Sequence, residues 1–355
     1  MTKSNIQRSS NFELLRIVSI LLILYMHSFA MGGSQTMSDF NHYIGHVIGS
    51  VGNIGVTCFI LISGYFGSRF KIERFLQIIL LTTVYSIFVT LVNNGLTMNM
   101  EVLKAMLVIP LYNNWFIACY LLLMVLSPFI NKFVEQLEKN DYKKLLLIGL
   151  LFLSIIPTCF NSANKTIITG GGKCLIYMLF IYAVGRYIKL YADKIQLSRK
   201  KFICMFLICQ LLILFFNIIL EHLFNKPLCY IFAMDCSPLI LISAICIFYL
   251  TKSYTFSSHG LNRIASCILS VYLLDGLRLT VNKFVEVENN TGEPTYFLWV
   301  TCLVSITFFV AVVIEEIRRL FFGKAEQHIL DKLSQLISKC LNTHIKEILS
   351  KVMGY

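Results

Sequence analysis

The stretch "NFELLRIVSILLILYMH", residues 11–27, decides how the chain is read. Its apolar run is bounded by Arg16 at one end and His27 at the other, and nothing between them is strongly polar. A membrane-crossing helix needs about 20 mostly apolar residues, and this run with its flanks supplies them. Ionisable groups inside such a helix are expensive, and by default they mark function. Arg16 and His27 are eleven positions apart. At 3.6 residues per turn that is close to three turns, so both lie on one face, about 16 Å apart along the axis.

The rest of the chain has the same character. Of 355 residues, 57% are hydrophobic and 14% charged, and the mean hydropathy is +0.72. A soluble domain of that length could not cover so much apolar surface, which sets the class as an all-α, polytopic membrane helix bundle. The net charge of +12 does not indicate nucleic acid, because the basic residues sit in short loops between apolar spans. Most of the twelve cysteines, Cys58 and Cys246 among them, lie within apolar runs and read as packing residues. Only Cys229 and Cys236 are placed to pair. The first run is too long for a signal-peptide core and has no clear cleavage pattern, so it reads as the first span.

Ten spans are expected, at roughly 12–31, 43–66, 75–93, 114–134, 144–160, 174–190, 202–222, 231–250, 264–282 and 296–321. With the N-terminus in the cytoplasm, the lysines and arginines test that count. Of 31 in all, only Lys104, Lys165, Lys173, Lys226, Arg278 and Lys283 fall outside, which favours ten spans with both termini cytoplasmic. After the last span, Leu330, Leu333, Ile337, Leu341, Ile345 and Leu349 recur at spacings of three and four. That pattern is an amphipathic helix on the inner membrane surface, or equally a solvated helical tail.

Four segments, in order, resemble the membrane acyltransferase 3 family. They are the Arg16-to-His27 stretch, "GVTCFILISGYFGSRFKIERFL", "NNWFIACYLLLMVLSPFI" and "SCILSVYLLDGLRL". The likeness runs from about residue 11 to 320. It implies a membrane acyltransferase domain over 1–322, with 323–355 as a cytoplasmic amphipathic helical tail. Members of the family are ten-helix proteins that move an acyl group, usually acetyl from acetyl-CoA, onto hydroxyls of extracytoplasmic sugars. The expected partners are therefore membrane lipids and a glycan or lipid-linked precursor, in a cell membrane. The expected co-substrate is acetyl-CoA, with no metal.

The resemblance also gives residues roles. His27 becomes the general base toward the acceptor hydroxyl. Arg69, Lys71 and Arg74 become the site for the anionic phosphates of CoA, with Arg16 lining the way in. Tyr65 and Trp115 match family positions as substrate-binding residues. Asp275 stands where many members carry a histidine, and it is placed to orient the imidazole of His27. Each residue has a plainer reading beside this one. Arg16 fits a snorkelling anchor, His27 a buried histidine bonded to a neighbouring helix, and Arg69 with its neighbours simple topology charge. Tyr65 and Trp115 fit interfacial aromatics, and Asp275 an i,i+3 partner of Arg278. A transporter or flippase for glycan intermediates is the rival function, since polar residues facing a water-filled cavity would serve it too. A third reading leaves the polar residues with helix packing alone.

Two further motifs carry less. His42 and His46 are four apart, a ligand-like spacing, but the sequence shows no third or fourth ligand beside them. "TGGGKC", residues 169–174, lacks the first glycine and the hydroxyl that a phosphate loop requires.

Overall fold

The first helix, α1 (Ser10–Phe29), has 20 residues, which is about 30 Å of rise and matches the hydrocarbon thickness of a bilayer. A computed structural model describes it together with the rest of residues 9–32, 37–98, 100, 102, 114–160, 170–195, 197–225 and 230–353, those from 340 onward by backbone alone. Lys3, Arg8, Lys104, Lys165, Lys226 and Cys229 lie outside the described residues; Cys236 is buried.

Every regular element among the described residues is helical. After α1 come α2 (Asp39–Gly52) and α3 (Ile54–Phe66), which together make one 28-residue apolar stretch. Next are α4 (Ile72–Asn93), α5 (Trp115–Gln136) and α6 (Lys139–Leu150), the last continuing through a π-helical turn into α7 (Ile156–Cys159). Then follow α8 (Leu175–Tyr191), α9 (Arg199–Phe224) and α10 (Pro238–Lys252). Three short helices, α11 (His259–Ser266), α12 (Ile268–Leu273) and α13 (Arg278–Val285), precede α14 (Tyr296–Met353).

Among the described residues, eight helical stretches are long and apolar enough to cross a membrane. The other two expected spans take a different form. α8 is apolar but has only 17 residues, about 26 Å of rise. The expected span at 264–282 is broken, because α11–α12 and the segment Asp275–Val285 meet at 65°. The cause is local. Asp275 and Gly276 are poor helix formers, and the chain passes through a 3-10 turn at Asp275–Leu277 before α13 begins. A broken helix leaves backbone groups to satisfy, and α4 meets one of them. Asn93 donates from Nδ2 to the Gly276 carbonyl (3.1 Å) and accepts from Thr280 Oγ1 (2.6 Å). α14 runs through the expected boundary at 322 without a break, so the last span and the tail share one 58-residue helix. Strong helix formers follow Gly323, and no proline interrupts them.

The two larger apolar clusters hold most of the bundle together. One gathers Leu61, Ile62, Tyr182 and Phe248 from α3, α8 and α10. The other gathers Leu81, Cys267, Leu274, Val300 and Leu303 from α4, α11–α14 and the bend. α1 belongs to both, with Phe12 and Leu15 in the first and Ile20, Ile23 and Leu24 in the second. α3 and α8 approach closely because each presents a glycine to the other. A Cβ on Gly185 would lie 2.5 Å from the Leu61 carbonyl oxygen, and one on Gly64 would meet the Tyr182 carbonyl. Small residues at such a crossing are how membrane helices gain packing where lipid offers no hydrophobic drive. Outward faces are apolar, as with Leu211 and Phe215 of α9, which suits a protein solvated by lipid.

Candidate active site

Arg16 and His27 do share a face, and that face opens on one cavity of about 820 Å³. The cavity follows α1 along its length. Its walls come from α3 (Val56, Phe59, Ser63), α4, α5, α11–α12 and α14. Its two ends differ in chemistry.

At the Arg16 end the lining is basic. Lys71, Arg74, Arg318 and Arg319 join Arg16 there, accompanied by Glu13 and Glu326. Arg16 donates to Glu13 Oε1 at 2.6 Å across a single turn of helix. Arg318 is held by Glu315 at 2.8 Å and by Glu326, and Arg319 by Glu315 at 2.5 Å. Gln77 ties α4 to α14 by donating to Glu326 Oε1 at 3.2 Å. Lys71 and Arg74 are exposed; Arg74 donates to Gln77 Oε1 at 2.7 Å. Arg69 is exposed as well, but it stands outside the cavity lining.

The His27 end is built around the break in the ninth expected span. His27 Nδ1 lies 2.8 Å from Asp275 Oδ2, and Arg278 Nη1 donates to the same oxygen. The two sequence readings of Asp275 are therefore compatible, since one carboxylate takes both partners. A proton on Nδ1, held by a carboxylate, leaves Nε2 as the basic nitrogen. The His27 side chain keeps 37% of its surface accessible while that of Asp275 keeps 11%, so the imidazole is the reachable member of the pair. Trp115, Asn53, Lys173, Asp235 and Tyr272 line this end. Tyr272 donates to Asn114 Oδ1 at 2.8 Å, which anchors the start of α5, and with it Trp115, beside the bend.

Tyr65 lies elsewhere. Its ring packs against Phe12, Phe66 and Phe248, and its hydroxyl donates to Asp193 at 2.6 Å. Lys189 sits 4.9 Å above the ring, and Lys252 pairs with Asp193 at 2.7 Å. Burial alone would raise the Asp193 carboxyl, but the hydrogen bonds from Lys252 and Tyr65 outweigh it and hold the group below the usual carboxylate range. The cluster joins α3, α8 and α10 beside the first apolar core, and Tyr65 does not reach the cavity.

Sequence reasoning passed over several lining residues. Arg318 and Arg319 are hard to single out, because a pair of cations at the end of a span has the same appearance whether it anchors or binds. Asp235 offered a clearer signal, a lone carboxylate in "YIFAMDCSPLIL", of the kind that marks function inside a membrane. It is 3% exposed, and its Oδ1 has no hydrogen-bond partner among the described residues. Lys173 reaches the cavity by way of the glycine run before it. Gly172 has φ +93, and a Cβ there would lie 2.6 Å from the Cys236 backbone nitrogen. The run is a close-packing turn against the loop that carries Asp235, and Cys236 N donates to the Gly171 carbonyl at 3.3 Å.

A family model described as an acyltransferase domain matches residues 9–316 of this chain. No curated protein and no solved structure matches it.

Proposed function

The chain belongs to the membrane acyltransferase 3 family, and on that premise we propose that this membrane acyltransferase carries acetyl from cytoplasmic acetyl-CoA to a hydroxyl of an extracytoplasmic glycan or lipid-linked glycan precursor. The observation that carries the reading is the single cavity joining a cluster of cations to His27. A donor with anionic phosphates at one end and a thioester at the other suits such a path. Arg16, Lys71, Arg74, Arg318 and Arg319 would hold the phosphates, and the pantetheine arm would run along α1. The excess of lysine and arginine on one side supports placing the cation end, with both termini, in the cytoplasm of a cell-membrane protein.

The chemistry follows from the histidine. Nε2 of His27 takes the proton of the acceptor hydroxyl as its oxygen attacks the thioester carbonyl carbon. The new C–O bond forms, the C–S bond breaks, and the CoA thiolate leaves with the proton returned from the imidazolium. Asp275 holds the imidazole in the required tautomer and offsets its transient charge. Trp115 and Tyr272 offer aromatic faces of the kind that sugars stack upon.

The deciding experiment incubates the purified protein with acetyl-CoA and a panel of glycans. CoA release that depends on an added glycan is the expected result. A transporter or flippase would move glycan without releasing CoA, and that outcome would overturn the reading. Acetyl found on His27 when no acceptor is present would replace direct transfer with an acyl-histidine step.

A further inference from the structure

Away from the cavity, the fold supplies the partner that the paired histidines lacked in the sequence. His42 and His46 lie one turn apart on α2, and Glu221 comes from the far end of α9. His42 Nε2 is 2.8 Å from Glu221 Oε1, and His46 Nε2 is 2.7 Å from Glu221 Oε2. The three donor groups all lie within 4.8 Å of one another. None of these residues lines the cavity.

We infer that His42, His46 and Glu221 form a binding site for one divalent metal ion of the zinc class, clamping α2 to α9. Two imidazoles one helical turn apart, with a carboxylate from a second helix, form a donor set suited to zinc. Donors that share a tetrahedral ion at about 2 Å lie about 3.3 Å apart. The groups here therefore need only small side-chain rotations to close on one.

The side chain of Glu221 is 17% exposed beside a fully buried His46. Among the described residues no lysine or arginine pairs with that carboxylate, and a buried uncompensated charge is costly. A dication offsets it. The exposed side of the site, toward His42 at 21% and Glu221, leaves room for water as a fourth ligand. Tyr230, whose ring lies 5.6 Å from that of His46, closes the buried side.

The test uses the full chain in detergent or nanodiscs, with any histidine tag removed, stripped by chelator and titrated with Co²⁺ and Zn²⁺. The wild type should take up a single ion per chain, show the visible ligand-field band of tetrahedral Co²⁺, and melt at a higher temperature with metal than with chelator. His42→Ala and Glu221→Gln should each weaken binding by about a hundredfold or more, beyond the 10–100-fold seen when outer-shell partners are lost. The glutamine keeps the shape of the site and one acceptor oxygen while removing the charge, so a folded Glu221→Gln protein separates ligation from packing. A wild type that binds no ion, or that gains no thermal stability from one, would overturn the proposal. So would a Co²⁺ spectrum unchanged in both variants, and either result would leave a hydrogen-bonded helix contact.

Discussion

The two ends of the cavity are built on opposite plans. At the Arg16 end, five cations from α1, α4 and its preceding residue, and α14 share the lining, and most are partly exposed. As the proposed phosphate site, such a group would tolerate the loss of any one member. At the His27 end, one imidazole meets one carboxylate, and that carboxylate is fixed by Arg278 and by the bend it sits on. Binding tolerates redundancy, because charges add over distance. Proton transfer does not, because it needs one atom within about 3 Å of another.

Four measurements can break this contrast or refine it. The largest effect is all-or-none. Reporter fusions after residue 38 should read outside, and those after residue 139 and at the C-terminus inside. An extracytoplasmic C-terminus would reverse the ends, putting the cations on the side without CoA. Next, His27→Ala should lower transfer by about 10² to 10⁴ while acetyl-CoA affinity stays within a few-fold. Full activity per folded molecule in His27→Gln would remove the catalytic role.

The third effect is smaller. Asp275→Asn removes a charge-assisted hydrogen bond worth about 1.5–3 kcal/mol, so transfer should fall by about ten- to 150-fold, again with donor affinity kept. A loss confined to folded yield, with normal turnover, would make Asp275 only a structural partner of Arg278. The smallest effect belongs to the redundant end. Arg16→Ala should weaken CoA binding by about tenfold, with a further loss as salt rises, whereas Arg69→Ala should weaken it less, since Arg69 stands outside the cavity lining. A larger loss at Arg69 than at Arg16 would move the phosphate site out of the cavity and onto the loop.

Much of this was legible in the sequence because it is local. The existence of the spans follows from runs of apolar residues, and the shared face of Arg16 and His27 from helical pitch alone. Arg69 and Tyr65 lie outside the cavity lining: Arg69 is exposed on the turn after α3, and an aromatic cluster holds Tyr65 against Asp193. Long-range packing is harder to read. Asp275 and His27 are 248 residues apart, and their meeting was expected only through the family resemblance; Glu221 and His46 are 175 apart, and nothing in the sequence pointed to theirs. The bend at Asp275 was hidden too, since a broken span and a continuous one have the same hydropathy.

That bend bears on the order of assembly. A polypeptide entering a membrane with Asp275, Arg278 and the 3-10 turn exposed would meet lipid with polar groups unsatisfied. The side chain that meets the Gly276 carbonyl and the Thr280 hydroxyl is Asn93, at the end of α4. Because α4 precedes residues 259–285 in the chain, insertion in chain order would put this polar partner in place before the bend that needs it.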